Sequence, residues 1–198
     1  MGSPTARSPL TRATVVTAAR ALIEDEGLEA VSFRRLAQRL GVTAPALYAY
    51  VSDKDDLLRS VTANELREII SRLHRQEGEE PVESLRRFCH LYIDYAVAHP
   101  ELYKTMFQFP PWDADAHRTS FGVPVMMAQM AVAYGAVVEA LDTGALRSEH
   151  PLMVALTLWT AVHGLAEVLR MGMPMGELRD RFAELVIDSV IDGLRPRP

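Results

Sequence analysis

Arg34, Arg35 and Arg39, followed by Tyr48, Tyr50 and Lys54, fall within Ser32–Leu58, which reads SFRRLAQRLGVTAPALYAYVSDKDDLL. Guanidinium, phenol and ammonium groups are the side-chain chemistry that holds phosphate oxygens, and arginine also reads guanine edges. Between them lie Ala44, Pro45, Ala46 and Ala49, small enough to let a backbone come close to a flat partner. The spacing predicts two short helices joined by Gly41-Val42-Thr43, with Leu47 and Val51 facing inward and the small and aromatic groups facing out. That pattern suits a short helix laid in a major groove, with tyrosine hydroxyls reaching phosphates. The competing reading is an ordinary helical hairpin with a solvated arginine face.

Catalytic chemistry finds less support. The six histidines, His74, His90, His99, His117, His150 and His163, include no helical metal pair and no HExxH motif. Glu167 stands four residues after His163, where it could orient the imidazole. No glycine-rich loop follows a strand. No catalytic residue, metal ligand or cofactor is assigned. A helical small-molecule enzyme and a protein-interaction module are the alternatives; the second leaves the groove-facing helix unexplained. Cys89, the only cysteine, excludes an intramolecular disulfide and reads as a small buried hydrophobe beside Phe88, Leu91 and Tyr92.

The elements that must position these groups are helical throughout. Apolar residues recur with a 3.6-residue period, punctuated by Pro and Gly, and no run alternates with period two. A first helix is expected from Ser8-Pro9 to Gly27, a second from Ser32 to Gly41, and a third over 44–50 with Thr43 as its cap. Ser52 is expected to cap a fourth helix whose stripe is Leu57, Leu58, Val61, Leu66, Ile69, Ile70 and Leu73. Further helices are expected over 82–99, about 100–107, about 116–141 with a late start or kink at Pro124, 151–171 and about 176–194. The fold class is therefore all-α: a helix-turn-helix unit at 9–58 after a flexible tail at 1–8, then a larger body at 59–198.

With 198 residues, 48% of them hydrophobic, the chain can bury a sizeable core. The net charge of −5 excludes a protein that coats nucleic acid with its whole surface. Residues 1–60 carry a net +1 and the remainder a net −6, so the acidity belongs to the C-terminal body. Met1–Thr11 has no apolar core behind it and does not read as a signal peptide. Thr119–Val138 is free of formal charge, but its Gly, Pro and Gln content favours a buried helix over a membrane span. A cytoplasmic location is expected.

The 9–60 region resembles the helix-turn-helix of the tetracycline-repressor (TetR) family of bacterial regulators. The matching features are the first helix ending at Glu26-Gly27, then Val31-Ser32, Leu36-Ala37, Leu40-Gly41-Val42, Leu47-Tyr48, Tyr50-Val51 and Lys54-Asp55-Asp56-Leu57-Leu58. The resemblance implies a dimer that binds palindromic double-stranded operator DNA and is released by a small molecule, most simply a repressor. It places Thr43 against a phosphate or base, Ala44, Pro45 and Ala46 nearest the base edges, Tyr48, Tyr50 and Lys54 on phosphates, and Arg34 on the backbone or a guanine. The alanines depart from the long polar groups some members carry, which shifts specificity onto Arg34 and DNA shape. Arg7 and Arg12 are read on a flexible extension, either a minor-groove arm or a disordered tail. In the body, Trp159-Thr160-Ala161-Val162-His163-Gly164 resembles the Trp-His-Gly pattern of one subgroup.

Eight of the nine methionines lie between Met106 and Met175. Met106, Phe107, Trp112, Phe121, Met126, Met127, Met130 and Trp159, with His163 as a polar point, would make an adaptable apolar pocket for a small hydrophobic or aromatic ligand. Plain core packing is the alternative for many of them. Leu156 and Val162 on one late helix, and Leu178, Phe182, Leu185, Val186 and Val190 on the last, give more apolar surface than one face can bury. A two-fold four-helix dimer interface would cover the rest.

Overall fold

The computed structural model describes residues 9–73, 76–110 and 131–197. Among these are nine α-helices, one 3-10 turn and no strand. The helices are α1 (Arg12–Glu26), α2 (Phe33–Leu40), α3 (Ala44–Leu47), α4 (Lys54–Ser71), α5 (Pro81–Ala98), α6 (Pro100–Gln108), α7 (Ala131–Asp142), α8 (Pro151–Arg170) and α9 (Leu178–Leu194). The 3-10 turn, Leu28–Ala30, joins α1 to α2.

Two hydrophobic cores organise them. The first collects Val15, Ala19, Leu22 and Ile23 of α1, Leu36 of α2, Leu47 of α3 and Leu57, Leu58 and Val61 of α4. The second is built from α5, α7, α8 and α9, with Leu85, Ile93, Val137, Leu158, Leu165 and Ile187 at its centre. Leu102 of α6 belongs to the first core although the sequence places it far downstream. The helix α4 runs from the first core into the second, and α6 and Tyr95 of α5 also pack against the first core.

Local chemistry moved several boundaries. The first helix starts three residues later than Ser8-Pro9 suggests, because Thr11 and Thr14 cap each other: Thr14 N–H donates to Thr11 Oγ1 at 3.1 Å and Thr11 N–H to Thr14 Oγ1 at 2.8 Å. The fourth helix is capped by Asp53, not Ser52; Asp53 Oδ1 accepts from Asp56 N–H at 2.7 Å. A carboxylate outcompetes a hydroxyl there because it also meets the positive end of the helix dipole. The third helix closes after Leu47 and continues as a turn through Tyr50. Gly41 ends α2 in the left-handed region, φ 67°, which lets the chain reverse into α3 at once. The expected helix over 116–141 lies within the described residues only from Ala131; its Pro124 kink lies outside them.

The uncharged segment 119–138 lies mostly outside the described residues. The described helix long and apolar enough to cross a membrane is instead α8. It packs against α5, α7 and α9, and buries Val154, Leu158, Val162, Leu165 and Leu169 in the second core.

Candidate DNA interface, ligand cavity and dimer face

The outer surface of α2 and α3 is shaped by which cations are already paired. Arg35 is held by Glu26 and Arg39 by Asp25, both acids from the end of α1. Arg34 is exposed, and its side chain makes no hydrogen bond or ion pair among the described residues. Lys54, the first residue of α4, is likewise exposed without a partner. Thr43 sits at the N-cap of α3 by backbone geometry, but its hydroxyl makes no cap bond, so the expected side-chain cap is absent. Ala44 and Ala46 are half-buried and Pro45 is exposed on the same turn.

The two tyrosines differ. Tyr48 is 61% exposed, and its ring rests on Phe33 of α2 with centroids 4.7 Å apart. Tyr50 packs partly against the first core, so part of its ring is structural. Sequence spacing alone could not separate them, because the chain leaves helical periodicity after Leu47.

Arg12 overturns the expectation of a flexible arm. It is the first residue of α1, and its guanidinium bonds Asp56 Oδ1 at 2.6 Å, Ser60 Oγ at 2.8 Å and the Tyr50 carbonyl at 2.6 Å. Asp56 also accepts from Ser52 N–H at 2.9 Å. This clamp joins α1 to the turn after α3 and to the start of α4. No local signal reveals it, because the partners lie 38 to 48 residues apart. Arg7 lies outside the described residues.

The clamp has a pH signature. The hydrogen bond from Arg12 is the largest influence on Asp56 and holds its carboxyl below the ordinary value, with burial opposing and Ser52 N–H assisting. A carboxyl depressed on folding contributes stability above its unfolded pKa, about 3.9, and loses it as pH falls through the lower folded value. Arg12→Ala is expected to cost on the order of 1 kcal/mol at neutral pH, since Arg12 is half exposed and solvent screens the pair. The gap between the thermal melts of the two proteins should narrow as the solution becomes strongly acidic, down to what the Tyr50 and Ser60 bonds of Arg12 contribute; a gap that is the same at every pH would exclude the ion pair as its source.

A cavity of about 430 Å³ lies between α4, α5, α6, α7 and α8. Of the expected lining residues, Met106, Phe107 and Trp159 line it. Trp112, Phe121, Met126, Met127 and Met130 lie outside the described residues. Leu66, Ile69 and Ile70 of α4, and Leu85, Phe88 and Tyr92 of α5, also line it and were not anticipated. Their helical stripes look the same whether they meet another helix or a void.

His163 stands behind the lining. Its Nδ1 is 2.7 Å from Tyr103 Oη and 3.1 Å from Tyr92 Oη, and its ring stacks on Trp159 at 5.0 Å. The possible His163–Glu167 pair does not form; Glu167 bonds Arg170 at 2.8 Å instead, which offers it a full opposite charge. Cys89 is buried as expected, and burial pushes its thiol up to about 12.

Between cavity and helix-turn-helix lies a second polar group. Glu65 of α4 is 4% exposed. Its carboxylate receives Arg20 Nε of α1 at 2.7 Å and the Tyr95 hydroxyl of α5 at 2.8 Å. Glu101 of α6 accepts from Leu28 N–H at 3.1 Å, beside Gly27, whose φ of 85° lets α1 end there.

Of the seven residues expected at the dimer face, Val162 is buried in the second core at 7% exposure and cannot contact a partner. Leu178 and Leu185 are 63% and 62% exposed, and Leu156 is exposed on α8. Phe182, Val186 and Val190 are half-buried, packed on the core from α9. Met153 adds an exposed apolar side chain beside Leu156. Leu156 also lines the cavity, so the two sites adjoin.

Residues 15–61 match the family model for bacterial regulatory proteins of the tetR family. Residues 85–190, more than half of the chain, match that for the tetracyclin repressor-like C-terminal domain. The chain belongs to the TetR family. It is a helix-turn-helix transcriptional regulator with a C-terminal domain of the ligand-binding type, in a family of generally non-enzymatic DNA-binding proteins. An uncharacterized HTH-type transcriptional regulator of Mycobacterium tuberculosis is 28% identical over 156 residues, 78% of this chain and 68% of that protein. A protein of unknown function from Rhodococcus sp. RHA1 shares the fold of this TetR-family chain with a TM-score of 0.80 at 24% identity, covering 98% of this chain and all of that one. Apo ActR from Streptomyces coelicolor superposes with a TM-score of 0.69 at 24% identity, over 95% of this chain and 96% of its own.

Proposed function

We propose that this regulator is a cytoplasmic repressor that binds a near-palindromic operator as a homodimer and is released by a small, largely apolar molecule. Residues 9–58 act as the DNA-contacting head and 59–198 as the regulatory body. The observation that carries the DNA reading is the pair of unpartnered cations, Arg34 and Lys54, flanking a one-turn α3 whose outward residues are small. Lys54 holds a phosphate, Arg34 a phosphate or guanine, and Tyr48 a phosphate. Thr43 offers a free hydroxyl, Tyr50 its partly exposed edge, and Ala44, Pro45 and Ala46 lie against base edges. Selecting bound DNA from a random pool tests this directly; recovery of no consensus, or of a consensus without two-fold symmetry, would refute it.

The ligand reading rests on the cavity, whose walls include α4 and α6, two helices that reach the head. Leu66, Ile69 and Ile70 follow Glu65 on α4, and Met106 and Phe107 follow Glu101 and Leu102 on α6. A ligand that fits only one placement of these two helices shifts the head through them, by its difference in affinity for the two states. The Trp-His-Gly run supports the finer subgroup through use rather than likeness alone: Trp159 lines the cavity and stacks on His163.

The dimer reading rests on the exposed leucines of α8 and α9. Two copies of α3 would then meet successive major grooves about one helical turn apart. Leu185→Glu is expected to give a monomer in sedimentation velocity at micromolar concentration and to lower operator affinity by about 100-fold, since a half-site keeps one set of contacts. A dimer unchanged by this substitution would exclude the α8–α9 face.

A further inference from the structure

Tyr92, one of the polar residues in the cavity wall, belongs to a hydrogen-bonded triangle with Tyr103 and His163. Tyr103 Oη lies 2.7 Å from His163 Nδ1, and Tyr92 Oη lies 3.1 Å from the same nitrogen and 3.0 Å from Tyr103 Oη. Two hydroxyls thus converge on one ring nitrogen. Burial raises both phenols above their ordinary value, so both keep their protons. In the tautomer that carries its proton on Nε2, His163 Nδ1 accepts the shorter bond, from Tyr103, and the Tyr92 O–H turns to the Tyr103 oxygen or shares the nitrogen. With both protons directed into the triangle, the Tyr92 oxygen keeps at least one acceptor lone pair. Tyr92 is also the member of the triangle that lines the cavity.

Among the described residues, the cavity wall carries no charged side chain. Arg170, whose guanidinium lies 4.9 Å over the Tyr103 ring, is held by Glu167 at 2.8 Å and by the Pro100 carbonyl at 3.3 Å. A carboxylate or ammonium head would leave water without a counter-charge to receive it.

We infer that the ligand is an uncharged apolar molecule bearing an alcohol or phenol hydroxyl that donates to the Tyr92 oxygen, with Tyr103 and His163 as positioning residues that keep the proton of Tyr92 turned inward. This rests on the cavity being the ligand site.

The full-length protein is titrated by calorimetry with 2-naphthol, its isostere 2-methylnaphthalene, 2-methoxynaphthalene and 2-naphthoate. One neutral hydrogen bond is worth about fivefold. 2-Naphthol should therefore bind about fivefold tighter than 2-methylnaphthalene, and 2-naphthoate should bind more weakly than both. Tyr92→Phe should erase the advantage of the hydroxyl and leave 2-methylnaphthalene unchanged. His163→Phe releases the inward pull on the protons, so 2-methoxynaphthalene should gain on 2-naphthol; a merely structural role would weaken all probes alike. Equal binding of 2-naphthol and 2-methylnaphthalene to the unaltered protein, or tightest binding of 2-naphthoate, overturns the inference while leaving the cavity a ligand site. No binding by any of the four overturns the cavity reading itself.

Discussion

Lys54→Ala is expected to weaken operator binding about 30-fold at physiological salt, uniformly over related sequences. The estimate follows from symmetry. One substitution removes a phosphate contact from each protomer, and two exposed charge-assisted contacts at roughly 1 kcal/mol each give about 2 kcal/mol. Because each contact releases about one condensed counterion, the slope of log affinity against log salt should fall by about two. Arg35→Ala is the matched control. Its charge is already answered by Glu26, so its loss should leave the slope nearly unchanged. Arg34→Ala should weaken binding as well, and if Arg34 reads a guanine it should also relax preference at one base pair in each half-site. A gel-shift titration in which neither Lys54→Ala nor Tyr48→Ala alters affinity would sink the docking of α3.

Removing Arg20 should destabilise the protein more than removing its partner. Arg20→Met leaves the Glu65 carboxylate buried at 4% exposure with only the Tyr95 hydroxyl to answer it, an uncompensated charge worth about 3–5 kcal/mol. Glu65→Met leaves a guanidinium whose side chain is 34% exposed and which keeps Glu24 as a partner, so the loss should be on the order of 1 kcal/mol. Urea unfolding at one fixed protein concentration measures both, since dimerisation would otherwise shift the midpoint. Equal losses would mean that Glu65 is solvated in solution. The ordering matters for function, because this triad ties α1 of the head to α4 and α5 of the body. Tyr95 is one helical turn from Tyr92, and Glu65 precedes Leu66, so both anchors adjoin the cavity wall.

Much of the fold was legible in the residues. Ser32, Gly41, Pro81, Pro100 and Pro151 sit where helices begin or stop, because capping and φ restriction act within three or four residues. The inward positions Leu36, Leu47, Leu57 and Leu58 followed from helical period alone and are all buried. The short span of α3, with small residues outward, was legible for the same reason, although its last turn unwinds.

What failed depended on partners far away in sequence. Arg12 looks like part of an extension until Asp56 and the Tyr50 carbonyl are brought to it. Three arginines on α2 look alike until α1 supplies Glu26 and Asp25 to two of them and leaves Arg34 free. Val162 carries the same apolar signature as Leu156 on the same helix, yet one turns inward and the other outward. Apolar periodicity reports that a face is buried, not whether helix, cavity or second subunit buries it. The sequence by itself determined the described helices, their order and a short groove-sized segment, read over 44–50 and closed by the fold at 47, since these arise from local capping and periodicity. Only the tertiary structure decided which cations remain free, where a void is left and which side chains line it, because charge pairing and packing gaps are set by residues that meet only after folding.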